Sequence, residues 1–382
     1  MNIPAEFDDI RPYSPEELPV VFGELLADPQ FRALVQSFYP EVPFEELSRR
    51  LYACKDSLEV QKVFFYPLIK QLAAKCSTGC TMDAGAVGDK EKRYTFVSNH
   101  RDIVIDPALL SILLLDQGFQ TTVEIAIGDN LLIYPWIHKL VRVNKSFIVQ
   151  RSLPLREMLG SSRRMSAYMH YAVACKRENI WIAQREGRAK DSNDRTQEAV
   201  LKMMAMSGGD TAADSLKALN IVPLTISYEY DPCDFLKAKE FQQKRDNPSH
   251  KKSREDDLRN MQTGIFGFKG RVHYQLSPCI NEWLDELSGL PKVEFFAEVA
   301  RRMDRDIHRG YQLYPGNYVA ADLLEGTTDF AGRYTAEEKD TFEKYIAGRL
   351  ALIDLPGKDE DFLRERLLTM YAMPLKNHIA AR

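Results

Sequence analysis

The chain is poor in cysteine. Six residues, at positions 54, 76, 80, 175, 233 and 279, are scattered through 382. That is too sparse for a disulfide scaffold, and reduced thiols in the cytosol are expected. Cys76 and Cys80 are the one close pair. Their spacing is wide for a zinc knuckle and no matching second pair exists, so no metal site is expected. An excess of basic charge is also missing: the formal net charge is −4. Duplex-binding proteins usually carry a basic excess, so no nucleic-acid partner is expected and a small anionic substrate fits better. Long hydrophobic runs are absent too. The longest stretch dominated by apolar residues, Ala108 to Leu115, is far short of a membrane span. The acidic N-terminus lacks a basic region followed by an apolar core, so no signal peptide is expected. Internal repeats and low-complexity tracts are lacking.

What is present is a folded, two-texture chain. Apolar residues make up 45% and charged residues 28%, which excludes wholesale disorder. Residues 1–80 read as a helical region, with helical spacing over Pro15–Phe38 and Phe44–Cys76. Cys76–Lys92 reads as a loop. Residues 81–290 alternate short β-rich runs with helical patterns, which predicts an α/β fold with a mixed, mostly parallel sheet flanked by helices. The predicted strands are Arg93–Ser98, Val123–Ile127, Ser146–Gln150, Asn179–Ala183, Ile221–Tyr228 and Arg271–Leu276. The predicted helices are Pro107–Gln117, Leu131–Val141, Pro154–Lys176, Arg195–Met206 and Ala212–Leu219. Residues 234–262 mix charges of both signs and read as a solvated helix face. Residues 291–382 read as helical again, most clearly over Glu337–Ile353 and Asp361–Tyr371.

The chemistry concentrates at the end of the first predicted strand of this α/β stretch. Ser98-Asn99-His100-Arg101-Asp102 runs on to Asp106-Pro107. Active-site groups of parallel α/β sheets lie just past the carboxyl ends of strands, where His100 falls. An imidazole takes up a proton near neutral pH, and a carboxylate on its other nitrogen fixes the tautomer. Asp106 followed by Pro107 also reads as a helix N-cap and first helical position, the structural alternative for that aspartate. His100-Arg101-Asp102 imitates a kinase catalytic loop, but Pro107 stands where that loop needs Asn, and no glycine-rich phosphate loop precedes it. No Gly-x-Ser-x-Gly elbow occurs, and Gly264-x-x-Gly267-x-x-Gly270 lacks the dinucleotide fingerprint.

Three further segments follow in order: Phe147-Ile148-Val149-Gln150-Arg151, then Glu186-Gly187-Arg188, then Val222-Pro223 in a strand. Together with the His-Asp element, their order resembles the four conserved blocks of the glycerolipid acyltransferase superfamily, which includes glycerol-3-phosphate and lysophosphatidic acid acyltransferases. The resemblance spans roughly residues 90–230. It implies that His100 is a general base with Asp106 as partner. Arg151 and Arg188 would clamp the acceptor phosphate, Glu186 and Gly187 would shape the site, and Lys145 would assist. The family has four residues between its His and Asp, against five here, and one between its Gly and Arg, against none here.

The implied reaction is transfer of a fatty acyl group from acyl-CoA or acyl carrier protein to the hydroxyl of glycerol 3-phosphate, a lysophospholipid or a related precursor. No cofactor, metal or acyl-enzyme is implied. Location is expected to be cytoplasmic, peripheral on the inner membrane face, with a membrane surface as a further partner. Two other readings stay open: a non-catalytic lipid-binding protein on the same fold, and an acyltransferase for an amino-acid lipid. The pattern predicts a hydrogen bond from His100 to Asp106 and none to Asp102.

Overall fold

The computed structural model describes residues 3–151 and 153–382. Seven strands form one sheet: β1 (Gly79–Asp83), β2 (Thr95–Ser98), β3 (Val123–Gly128), β4 (Ser146–Val149), β5 (Asn179–Ala183), β6 (Ile221–Tyr228) and β7 (Arg271–Leu276). Their order is β1-β7-β6-β2-β5-β3-β4. Every neighbouring pair is parallel except β6 and β7. The fold is therefore α/β with a mixed, mostly parallel sheet.

The alternation of side chains along each strand explains the layering. Val97, Ile180 and Ile182 enter the core on one face of the sheet, while Phe96 and Trp181 enter the core on the other. Successive residues of a strand point to opposite faces, so both faces must be covered. All eight residues of β6 are buried, which is why it reads as a nearly continuous apolar run.

The helical layers begin with α1 (Leu18–Ala27), α2 (Pro29–Phe38), α3 (Phe44–Tyr52), α4 (Ser57–Val60) and α5 (Tyr66–Cys76). The two long N-terminal helices expected from periodicity are each divided. Asp28 stops α1 and caps α2 by accepting the N–H groups of Gln30 and Phe31, and Asp56 accepts that of Glu59. A capping carboxylate satisfies donors that a continuous helix would not leave open. Leu18, Phe22, Phe31 and Leu51 turn inward and pack with Val143.

α6 (Ile105–Asp116) and α5 cover the sheet face that carries Phe96. α7 (Pro135–Val143) leads into β4. α8 (Leu155–Tyr171), α9 (Glu198–Met204) and α10 (Ala212–Ala218) cover the other face. Two more helices, α11 (Asp234–Asp246) and α12 (Arg254–Phe266), lie between β6 and β7 in sequence. The chain ends with α13 (Lys292–Arg309), α14 (Pro315–Glu325), α15 (Ala336–Ala351) and α16 (Glu360–Ala380). α13 joins the α8 layer through Phe296, Val299 and Met303, while α11, α14, α15 and α16 share a separate apolar cluster.

Two expectations need correction. The segment read as a loop contains β1, an edge strand paired with β7. Its residues alternate between exposed and half-buried, so no apolar run announces it. The charged stretch 234–262 is not merely a solvated face: Phe235, Leu236 and Ala238 are buried, and Lys237 is buried against Asp231. That lysine is tolerated inside because it has a partner.

Candidate active site

The turn between β2 and α6 builds the centre of the site. Asp106 is not the helix N-cap, contrary to the sequence expectation. It is the second residue of α6, and the N-cap position is taken by Val104. Asp102 does the capping instead: its Oδ1 accepts the N–H groups of Val104 and Ile105, at 2.9 and 2.7 Å. This tight turn takes up the extra residue between His100 and Asp106.

Asp106 is fully buried. Its Oδ2 accepts the backbone N–H of Arg101 at 2.6 Å and of Asp102 at 3.0 Å. The same oxygen lies 2.8 Å from His100 Nδ1. The other oxygen, Oδ1, accepts the hydroxyl of Tyr228 at 2.8 Å. The expected His100–Asp106 bond is therefore present, and Asp102 is engaged with the backbone. His100 is also set against the ring of Trp181, edge to face, with centroids 5.4 Å apart. Trp181 is itself tied by its Nε1 donating to Ser98 Oγ at 2.9 Å. Burial, followed by the charge of Asp106, pushes the Asp102 carboxyl up.

β2 to β6 run in one direction, so the residues following β2, β4 and β5 gather on one side of the sheet. His100, Arg151 and the 186–188 turn share that side. Gly187 has a φ of +68°, a conformation that favours glycine, and it reverses the chain after β5. Arg188 turns its guanidinium inward. Its Nη2 donates to Asn260 Oδ1 at 3.0 Å, while Nη1 is buried without a hydrogen-bond partner among the described residues. Arg151 is exposed, and its Nη1 lies 3.7 Å from Glu186 Oε1. Glu186 is exposed as well and holds its place through its N–H, which donates to Gln197 Oε1 at 2.8 Å. At Gly128 a Cβ would meet Asn130 Oδ1 at 2.5 Å and Arg151 Nε at 3.1 Å, so its lack of a side chain lets Arg151 lie over the end of β3.

Lys145 is not part of this constellation. It precedes β4, at the opposite ends of the parallel strands from His100. Its buried Nζ donates to Thr121 and Thr122 at 2.9 and 3.1 Å and pairs with Glu178 at 2.7 Å. A residue fixed in an ion pair there braces strand starts. It cannot reach a ligand at the carboxyl ends, because β4 alone spans about 13 Å at roughly 3.3 Å per residue.

Several neighbours carried no assigned role in the sequence. Arg101 Nη2 donates to Asp194 Oδ2 at 2.5 Å, and Tyr311 donates to the same carboxylate. Burial opposes the Arg101 charge, but Asp194 raises its pKa above the ordinary value. Asn99 is locked to β6, donating to Ile226 O at 2.9 Å and accepting from Ile226 N at 2.8 Å. A small open cleft adjoins Arg101, lined also by Ser192, Ser227, Tyr228, Asp231 and Tyr311 among others. Asn99 and Arg101 flank His100 in sequence and could have been singled out. Nothing local marks Asp194, which lies 93 residues from Arg101.

No curated protein matches the chain by sequence. Among solved structures it is similar to the 1-acyl-sn-glycerophosphate (LPA) acyltransferase PlsC from Thermotoga maritima, at 14% identity over 75% of this chain and 92% of that one, with a TM-score of 0.38. Residues 85–227 match the Acyltransferase family, a stretch that holds His100, Asp106, Arg151 and Arg188. The match marks residues 85–227 as an acyltransferase domain, in line with the four sequence blocks that they contain.

Proposed function

We propose that this enzyme transfers a fatty acyl group from a thioester, acyl-CoA or acyl carrier protein, to the hydroxyl of a phosphate-bearing lipid precursor such as glycerol 3-phosphate or a lysophospholipid. The observation that carries the reading is the His100–Asp106 pair, 2.8 Å apart, at the carboxyl end of β2. With Nδ1 engaged by Asp106, Nε2 takes the proton of the acceptor hydroxyl as its oxygen attacks the thioester carbonyl. The acyl–oxygen bond forms, the carbon–sulfur bond breaks and the thiolate leaves, taking up a proton. Asp106 stabilises the transient imidazolium.

The guanidinium of Arg188, which also faces Cys233, Asp102 and Asp231, supports an anionic acceptor through its fork of donors. Arg151, exposed on the same side, supplies a second guanidinium for phosphate oxygens. Incubating purified protein with labelled acyl-CoA or acyl carrier protein and a panel of acceptors tests the assignment by mass spectrometry of the products. Transfer confined to phosphorylated acceptors supports it. Transfer to an amino-acid lipid instead would replace it.

No helix of the described residues is long and apolar enough to cross a membrane. Most apolar positions of α1–α5 pack inward, but Val20, Tyr52 and Val63 remain exposed, as do Phe266 and Phe268. Phe266 stacks on Phe38 of α2. These exposed apolar side chains support weak, reversible docking on a cytoplasmic membrane surface, where an amphipathic acceptor resides. Liposome flotation of the full chain tests it, and protein left wholly in the aqueous fraction would count against it.

A further inference from the structure

The carboxylate that orients His100 is held from two sides by different kinds of donor. Three donors converge on Oδ2: His100 Nδ1 and the N–H groups of Arg101 and Asp102. On the opposite side Oδ1 faces β6, and the hydroxyl that meets it there is that of Tyr228, at 2.8 Å. Asp106 is fully buried, so an Oδ1 deprived of that hydroxyl would have no water to replace it. Tyr274, on the antiparallel neighbour β7, donates to the backbone carbonyl of Asp106 at 3.0 Å. Two buried tyrosines of one strand pair thus grip the same residue, one by its carboxylate and one by its main chain. Both lie outside the stretch that matches the family, which ends at residue 227.

We propose that Tyr228 is a positioning residue for acyl transfer: its hydroxyl fixes the Asp106 carboxylate so that Oδ2 stays on His100, and by sharing the carboxylate charge it sets the pH range over which His100 acts as a base. The proposal rests on the general-base reading above. Burial, followed by the charge of Asp106, pushes the Tyr228 hydroxyl far above its ordinary pKa, so it remains a donor across the working range. A hydrogen bond to a carboxylate disperses its charge. Removing that bond leaves more negative charge facing the imidazole and favours the imidazolium.

The test compares pH profiles of kcat/KM for the parent, Tyr228→Phe and protein carrying 3-fluorotyrosine at position 228. The fluorinated ring keeps the hydroxyl, and with it the packing, but donates more strongly. In parallel, ¹⁵N NMR of the His100 ring is followed through a pH titration, which needs no turnover. Tyr228→Phe is expected to lower kcat about tenfold with little change in KM. It should move the acid limb, and the NMR midpoint, up by about 0.5 pH unit. Fluorotyrosine should move both down. Folded Tyr228→Phe protein with unmoved limb and midpoint would overturn the proposal and leave Tyr228 as a packing residue. So would fluorotyrosine protein whose midpoint does not move, which covers the case of a Phe variant that fails to fold. NMR midpoints that move as expected in protein showing no acyl transfer with any donor would uphold the positioning of Asp106 and overturn the enzymatic reading beneath it.

Discussion

Asp102 Oδ1 accepts the N–H of Ile105 at 2.7 Å, and that bond decides which carboxylate serves His100. With Asp102 committed to the start of α6, Asp106 alone faces the imidazole, at 2.8 Å. Asp106→Asn is expected to reduce kcat by at least about a hundredfold, because the amide neither holds the Nδ1–H tautomer nor balances an imidazolium. Asp102→Asn should cost far less activity. Stability separates the pair as well. In the Asp102→Asn variant the amide oxygen still serves the cap. In the Asp106→Asn variant the new amide N–H₂ meets existing donors in a buried site. A loss of about 1–3 kcal/mol is expected for Asp106→Asn by denaturant unfolding. Equal losses of activity in the two variants would reverse the assignment.

The guanidinium groups should divide the work unequally. Arg188 is sunk between Asn260 and the buried turn, and Arg151 is exposed beside Glu186. Arg188→Ala is expected to lower kcat/KM for a phosphorylated acceptor by about ten- to a hundredfold, and Arg151→Ala by less, since solvent screens it. Neither should change use of a dephosphorylated acceptor to the same degree. Identical losses on both acceptors would remove the phosphate role.

Lys145 offers a contrasting case. Its Nζ pairs with Glu178 at 2.7 Å, at the starts of the strands. Lys145→Met should leave KM for every acceptor unchanged and destabilise the fold by about 2 kcal/mol, because Thr121, Thr122 and Glu178 lose a shared donor. Steady-state kinetics and urea unfolding check the two halves of this expectation. A raised acceptor KM would return Lys145 to the site.

Asp304 on α13 gives a pH-dependent signature of stability. Burial pushes its carboxyl up to about 6, against the opposing bonds from Thr196. In the unfolded chain it titrates at about 3.9. Between about pH 4 and 6 the folded state therefore holds a proton that the unfolded state has released, and stability falls as pH rises through that window. Above it Asp304 costs up to about 3 kcal/mol. Asp304→Asn, which keeps an acceptor for the Thr196 N–H, should be more stable than the parent above about pH 6, with the gain vanishing below about pH 4. Thermal unfolding across about pH 4–8 checks this, and a gain independent of pH would rule out the buried charge as its cause.

Local patterns made much of this molecule legible. β5 and β6 were legible because buried strands need apolar side chains on both faces, and β7 because its apolar and polar residues alternate. His100 and Asp106 were legible because a motif and its turn are contiguous. What escaped was long-range. β1 is a strand because β7 pairs with it, and its half-exposed residues carry no signature of that. Lys145 is chemically suited to phosphate and lies near a matching segment, yet its position relative to the strand puts it at the wrong end of the sheet. Asp-Pro is a common way to open a helix, which made Asp106 read as a cap. Only the turn geometry shows that Asp102 fills that role. Tyr228 ends a predicted strand, but its value depends on Asp106 lying opposite, 122 residues away in sequence.

The central claim is that His100 is the base in acyl transfer. Single-turnover transfer from a labelled acyl thioester to a phosphorylated acceptor, measured for the parent and His100→Ala at matched, circular-dichroism-verified folding, tests it most directly. Transfer by the parent and a loss of at least about a hundredfold in the variant are expected, with acceptor binding retained. A folded His100→Ala protein that transfers the acyl group at the parent rate would contradict it.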